Sequence, residues 1–433
     1  MTPNKKPEIP HQSRGRNLSS SESKRLSRSA DAGDSHRIHL AAGKAGVPDT
    51  DFMMVHRKPA GIYIHIPFCV RKCNYCAFLS APASETKRAE YVDSLIREIE
   101  LRRGEVPFAD TIYFGGGTPS LLTPSQIHRI LDAVKNNFVI AGTSEVTMEA
   151  NPGALTAESL RGYREAGVNR LSMGVQSMDD RRLRFLGRIH TAEDVRRDYV
   201  MAREAGLDNI NLDLMFGIPG MTLADAVTDL QKIAELEPEH ISFYSLQLEE
   251  GTPFFRAFEA GELTEVPDEL DREMYHRGIK FLQSQGYEHY EISNFCKPGF
   301  RSRHNSKYWD LSEYVGLGLG ASSYVNHTRI MNETDFEAYG RKLDRGELPQ
   351  GDVHENSEFD DVSEAVFTGL RRREGIRFEE VAGSKAHFFE IYGEAMEELE
   401  QFRASGDVEI TPGGIRLTEQ GIDISNRIMA LFV

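Results

Sequence analysis

Six short apolar runs, each followed by a helix-like stretch, constrain this chain more than any other feature. The strand-like runs are 61–66, 111–114, 145–150, 168–174, 209–215 and 240–246. The intervening pattern predicts helices over 84–103, 124–137, 157–166, 192–205, 223–236 and 268–285. Thr123-Pro124-Ser125-Gln126 joins a capping hydroxyl, a proline suited to the first helical turn and a glutamine that can reach back to the cap. Thr191 with Asp194, and Thr222 with Asp225, are weaker versions of the same signal. Gly142, Gly167, Gly206 and Gly286 stand where helices stop or the chain reverses. Consecutive strand–helix units imply a parallel sheet, because parallel neighbours need a crossover rather than a hairpin. Such a sheet can curl into a partial TIM-like barrel or lie open and doubly wound.

The 433 residues suffice for one large core and a smaller module. A formal charge of −16 argues against general nucleic-acid binding. No run has the apolar length of a membrane span, so stable membrane insertion is not expected. Residues 1–55 are rich in Ser, Arg, Lys and Pro and read as a disordered extension. Their first 30 residues are basic, which raises a mitochondrial transit peptide, but no amphipathic face is evident and a cytoplasmic location is favoured. Residues 354–433 change style, with helices near 358–373 and 384–405, a hairpin around Pro412-Gly413-Gly414 and a final helix over 419–431. That order suggests a winged-helix-like module. Glu390, Glu394, Glu397, Glu398 and Glu400 on its long helix argue against DNA binding.

Sites in parallel α/β folds collect at the carboxyl ends of the strands. Here the first strand runs into Cys69-Val70-Arg71-Lys72-Cys73-Asn74-Tyr75-Cys76, which holds three of the chain's four cysteines. The second strand ends in Gly115-Gly116-Gly117-Thr118-Pro119, the third in Glu149-Ala150-Asn151-Pro152 and the fourth in Gly174-Val175-Gln176-Ser177. The fifth carries Asp213 between apolar neighbours, where an ionised carboxylate needs a partner. Three thiolates on one loop can hold three irons of a four-iron cluster and leave one iron open. A zinc site of three cysteines and one histidine, such as His65, is the alternative. A ferredoxin-type cluster takes four cysteines, and Cys296 is remote in sequence. Glycines at a strand end let a ligand approach backbone N–H groups, and Glu149 and Asp213 offer acceptors for ammonium and hydroxyl groups.

These residues together resemble the radical SAM family, in the branch that contains oxygen-independent coproporphyrinogen III oxidase and the heme chaperones. The carrying segments are Tyr63-Ile64-His65-Ile66-Pro67-Phe68-Cys69 with Cys73 and Cys76, the Gly115–Ser120 turn, and Glu149–Pro152. Gly174–Ser177, Asn211–Met215, Gly217-Ile218-Pro219-Gly220, Tyr290–Phe295 and His304-Asn305-Ser306-Lys307-Tyr308-Trp309 complete the set. The resemblance implies a radical SAM partial (β/α)6 barrel over 56–300, a connecting segment over 301–353 completing its side, and a C-terminal, mostly α, winged-helix-like domain over 354–433. It implies a [4Fe-4S] cluster on Cys69, Cys73 and Cys76. S-adenosylmethionine would lie against Tyr63, Tyr75, Gly116, Gly117, Thr118 and Glu149. Gln176, Arg188 and Asp213 match positions associated with a second S-adenosylmethionine in the oxidase branch.

Two departures select within the branch. The oxidases carry a further cysteine two residues beyond the third, and Phe78 stands there. They also have a longer folded N-terminal segment. Both features resemble the heme-chaperone side, so heme is the expected cargo, with a recipient hemoprotein and a reducing electron donor as partners. The resemblance leaves enzymatic turnover open, and the oxidative decarboxylation of coproporphyrinogen III is the competing activity. His304 is a candidate axial heme ligand, because imidazole is a common one. A structural histidine is the competing reading, and Cys296 is a rival ligand.

Overall fold

The computed structural model describes residues 58–433, so the reading of 1–55 as a disordered extension, with its transit-peptide question, lies outside the described residues. Six strands run parallel in chain order: β1 (Ala60–Ile66), β2 (Ala109–Gly116), β3 (Ile140–Ala150), β4 (Arg170–Gln176), β5 (Ile210–Phe216) and β6 (His240–Ser245). Helices α1 (Glu85–Leu101), α2 (Pro124–Asn137), α3 (Ala157–Ala166), α4 (Asp180–Phe185), α5 (Ala192–Glu204) and α6 (Leu223–Ala234) return the chain between them. Both halves of the capping box expected at Thr123 and Gln126 are formed, and Thr191 with Asp194 and Thr222 with Asp225 form the same reciprocal pair. Gly167 closes α3 in the left-handed conformation, at φ 119°.

Helices α7 (Pro253–Glu259) and α8 (Asp268–Ser284) lead to β7 (Glu288–Glu291) and β8 (Asn294–Cys296), which add antiparallel to the β6 edge. After α9 (Arg303–Trp309), β9 (Tyr314–Leu317) pairs parallel with β1. Strands β10 (Ser322–Val325), β11 (Thr328–Asn332) and β12 (Gln350–Glu355) then extend that edge antiparallel, giving one sheet of twelve strands. The C-terminal part holds α11 (Glu358–Gly369) after α10 (Phe336–Asp344), then α12 (Phe378–Ala382) and α13 (Lys385–Ser405). Its three-stranded sheet comprises β13 (Ile376–Arg377), β14 (Val408–Thr411) and β15 (Gly414–Leu417). The acidic side chains expected to discourage DNA, from Glu390 to Glu400, are all exposed on α13.

Strand alternation explains how this sheet positions a site. Ile62, Ile64 and Ile66 of β1, Leu171, Met173 and Val175 of β4, and Leu212, Leu214 and Phe216 of β5 are buried in the apolar core. Each such side chain contributes roughly 1.5–3 kcal/mol on burial. The alternate residues turn to the other face and are mostly polar, among them Tyr63, His65, Arg170, Ser172, Asn211 and Asp213. In register, Thr111 pairs with Glu145, Tyr113 with Thr147, Glu149 with Ser172, and Gly174 with Asp213. Parallel strands buried on both faces are usually apolar throughout. Here the inner face is a polar column that ends at the cysteine loop.

Candidate functional site

The cysteine loop leaves β1 at Ile66 and folds back over the carboxyl ends of the strands. It is pinned there by Asn74, whose amide donates to the Leu186 carbonyl at 3.0 Å and whose side chain donates to the Phe185 carbonyl at 2.8 Å. The three thiols are free, half-buried and face one cleft. Tyr75, Gly116, Gly117, Glu149, Gln176, Arg188 and Asp213 line the same cleft. The structure thus brings together ten of the thirteen residues singled out in the sequence. Tyr63 and Thr118 stand behind the wall instead, and His304 lies at the opposite end of the barrel.

Among the described residues no three His, Cys, Asp or Glu side chains converge tightly enough to hold a single metal ion.

Polar partners fix the cleft walls. Thr118 Oγ1 donates toward Cys69 Sγ at 3.5 Å and accepts from Asn151 Nδ2 at 2.8 Å. Arg188 reaches Cys73 Sγ at 3.6 Å and donates to Asn151 Oδ1 and the Gly174 carbonyl, each at 2.5 Å. Burial raises the Cys76 thiol above its ordinary range, with a backbone hydrogen bond from Phe78 opposing the rise. Gln176 has a φ of 68°, in the left-handed region, at a register irregularity between β4 and β5. A bulge of this kind re-aims a side chain, and Gln176 Oε1 accepts from the Tyr244 hydroxyl at 2.8 Å.

Two carboxylates face the cleft. Glu149 accepts from the Tyr113 hydroxyl at 2.8 Å and from the Gly116 amide at 3.2 Å. Burial pushes its carboxyl up to about 7, with the Asp213 charge adding to the rise and the Tyr113 and Gly116 hydrogen bonds opposing it. Burial also raises Asp213, against hydrogen bonds from Ser242 and Asn211. Two half-buried acids held above their ordinary range are poised to accept a cationic group, whose charge would restore the ionised form.

The glycine triplet differs from its expected use. The Gly116 amide is spent on Glu149, and the Gly117 amide donates to the Ile66 carbonyl at 2.9 Å. Neither amide is left to greet a carboxylate. The glycines are there for space: a Cβ on Gly117 would lie 2.6 Å from the Phe68 carbonyl oxygen, and one on Gly116 would meet the His65 ring.

His304 also departs from its expected availability. It is fully buried on α9, with Nδ1 bonded to Thr111 Oγ1 at 2.8 Å and Nε2 to the Tyr308 hydroxyl at 2.9 Å. Burial lowers its pKa to about 3, with the Lys307 and Arg170 charges adding to the effect. An axial heme ligand needs a free nitrogen facing an opening, and His304 has neither. Cys296 is likewise buried, and burial raises its thiol to about 11. Asn151 and Tyr244 line the cleft and Tyr113 backs Glu149, although the sequence reading gave none of the three a role. The signal for Tyr113 and Tyr244 was the strand alternation, which puts both on the inner face, and Asn151 directly follows β3.

Comparison with known proteins places this geometry. Residues 63–233 match the Radical SAM superfamily and residues 357–424 match the HemN C-terminal domain. The heme chaperone HemW of Bacillus subtilis is 36% identical over 381 residues, covering 86% of this chain and 98% of that protein. HemW of Escherichia coli is 40% identical over 291 residues, covering 65% of this chain and 75% of its own length. A mouse protein named radical S-adenosyl methionine domain-containing protein 1, mitochondrial, is 31% identical and covers 86% of each chain. The solved coproporphyrinogen III oxidase HemN of Escherichia coli superposes with a TM-score of 0.75 at 22% identity, over 87% of this chain and 90% of that one, which speaks to the shared fold. The cysteine-loop cleft at the end of a parallel α/β sheet is thus that of a radical SAM protein. Within that superfamily, the chain belongs to the HemW family.

Proposed function

We propose that this protein is a radical SAM-type heme chaperone, which carries a [4Fe-4S] cluster, binds S-adenosylmethionine and delivers heme to recipient hemoproteins. The carrying observation is the convergence of three free thiols and two raised carboxylates on one cleft, in a chain of the HemW family. Cys69, Cys73 and Cys76 would hold three irons. Glu149 would take the methionyl ammonium, with Tyr75, Gly116 and Gly117 forming the wall that a ligand touches. Tyr63 and Thr118 would act from behind that wall, by holding His65 and Asn151. Gln176, Arg188 and Asp213 occupy the far side, with Arg188 also steadying Cys73. When bound and reduced, the cluster supplies an electron for cleaving S-adenosylmethionine. The donor of that electron is a separate reductant.

Phe78 bears on the competing activity. It lines the cleft mouth and is 66% exposed, where an oxidase would have another cysteine. We place the protein in the cytoplasm, with the mitochondrion as the alternative. No helix among the described residues is long and apolar enough to cross a membrane.

The test is anaerobic. Reconstituted protein should bind heme and pass it to an apo-hemoprotein. With reductant, S-adenosylmethionine and coproporphyrinogen III it should form no protoporphyrinogen. Turnover of coproporphyrinogen, or heme that is never released, would overturn the reading.

A further inference from the structure

The floor of the barrel is built around a histidine that the proposed chemistry does not use. Helix α9 closes the amino-terminal end of the strands. The His304 backbone amide donates to Glu145 Oε1 at 3.1 Å and the Arg303 amide to Glu145 Oε2 at 3.1 Å, anchoring the helix to β3. Its imidazole then points inward. A Cβ on Gly61 of β1 would lie 3.0 Å from His304 Cε1, so the ring fills its site closely. Above the ring lies Tyr113, stacked at 5.1 Å between centroids and 25° between planes. Tyr63 stacks on both, at 6.2 Å from Tyr113 and 6.5 Å from His304. The Tyr113 hydroxyl, at the far end of this stack, donates to Glu149.

From this arrangement we infer that His304 is a positioning residue, which holds Tyr113 against Glu149 and so sets the carboxylate that faces S-adenosylmethionine. The hydrogen bonds that its two nitrogens make with Thr111 and Tyr308 fix the ring plane, and the plane fixes the tyrosine. A stack of rigid rings transmits a position because close-packed interiors do not deform continuously. The motif His304-Asn305-Ser306-Lys307-Tyr308-Trp309 then supplies the imidazole and, four residues on, the hydroxyl that orients it. The inference rests on the reading of Glu149 as an S-adenosylmethionine contact.

The experiment uses the reconstituted full chain and four variants: Tyr113→Phe, His304→Ala, His304→Gln and the Tyr113→Phe/His304→Ala double. His304→Gln keeps polar partners for Thr111 and Tyr308 should the alanine variant fail to fold. The readouts are S-adenosylmethionine affinity well below the melting temperature, iron content, and the absorption spectrum of bound heme. Tyr113→Phe loses one hydrogen bond to a charged group and should bind about tenfold more weakly. The His304 variants should weaken binding by a similar factor at full iron content. The double variant should be no weaker than the poorer single, because both changes break one linkage. The heme spectrum should not move. Wild-type affinity in the His304 variants, or fully additive losses in the double, would overturn the inference while leaving the Glu149 reading intact. A shifted heme spectrum with intact affinity would make His304 a heme ligand instead. Absence of S-adenosylmethionine binding in the wild type would remove the Glu149 reading itself.

Discussion

The two ends of this barrel hold similar side chains under opposite conditions. At the carboxyl end the cysteine thiols are free and half-buried, Glu149 is pushed up to about 7, and the loop residues Val70, Arg71 and Lys72 are exposed. At the floor His304 is sealed, with both nitrogens bonded and its pKa lowered to about 3. Cysteine, histidine and glutamate are all ligand-type residues. What separates a binding group from a structural one is whether the fold has already used its lone pairs and protons. The carboxyl end leaves thiols and carboxylate charge unspent, whereas the floor leaves nothing over at His304.

The sharpest test of the contrast is at the open end. Cys69→Ala should reduce reconstituted iron from about four per chain to below about one, because a four-iron cluster is held by its thiolates. A chain that keeps its iron after this change would not be using the loop as its cluster site.

Next in size is Glu149→Gln. It should weaken S-adenosylmethionine binding by more than about a hundredfold, as expected on removing one partner of a buried charge pair. Its effect on the ligand-free protein has the opposite sign. Tyr113 and the Gly116 amide face this carboxyl with hydrogen bonds, and Asp213 and Arg170 face it with opposing charges. Its folded pKa lies near 7, above the ordinary 4.5. Protonated Glu149 therefore favours the folded state, a contribution present in full below 4.5 and lost as pH rises through about 7. Glutamine cannot ionise, so the variant should melt higher than wild type above pH 7 and alike near pH 4. A variant that melts lower at high pH would show that the ionised carboxylate is a structural partner, as at the floor.

How far the sequence discloses this contrast depends on the range of the forces involved. Helices α2 and α3 begin and end where their caps and periodicity place them, at 124–137 and 157–166, because both signals are local. The six parallel strands were legible from alternation. Strands β7 to β12 were not. They are short, from three to six residues, and are defined by their neighbours in the sheet. The last helix, expected over 419–431, is broken into turns at Gly421–Ile424, Ser425–Met429 and Ala430–Phe432, with Ile424 off helical geometry at φ −119° and ψ 21°. In the site, the cysteine spacing announced the loop. The sealing of His304 did not show, since its partner Thr111 is 193 residues away. The spent amides of Gly116 and Gly117 were hidden for the same reason, as both acceptors come from other strands.

The glycine triplet gives the mildest test, and its value lies in separating space from ligand contact. Gly117→Ala would press a methyl group against Phe68 backbone atoms at 2.6–2.9 Å, and backbone cannot swing aside as a side chain can. Overpacking of that kind destabilises by about 1–3 kcal/mol. Phe68 is bonded to Cys69, so the shift should also reach the loop and lower iron loading at equal protein concentration. Gly142→Ala is the control, at a glycine of β3 where an added Cβ meets nothing within 4 Å. It should change stability by less than about 0.5 kcal/mol. Melting temperature and iron content measured on both variants decide the matter. If Gly117→Ala melts like Gly142→Ala but loses S-adenosylmethionine, Gly117 serves the ligand directly, as the motif alone suggested. If it melts lower and loads less iron, the triplet is a packing device that lets the cysteine loop lie flat on the strand ends.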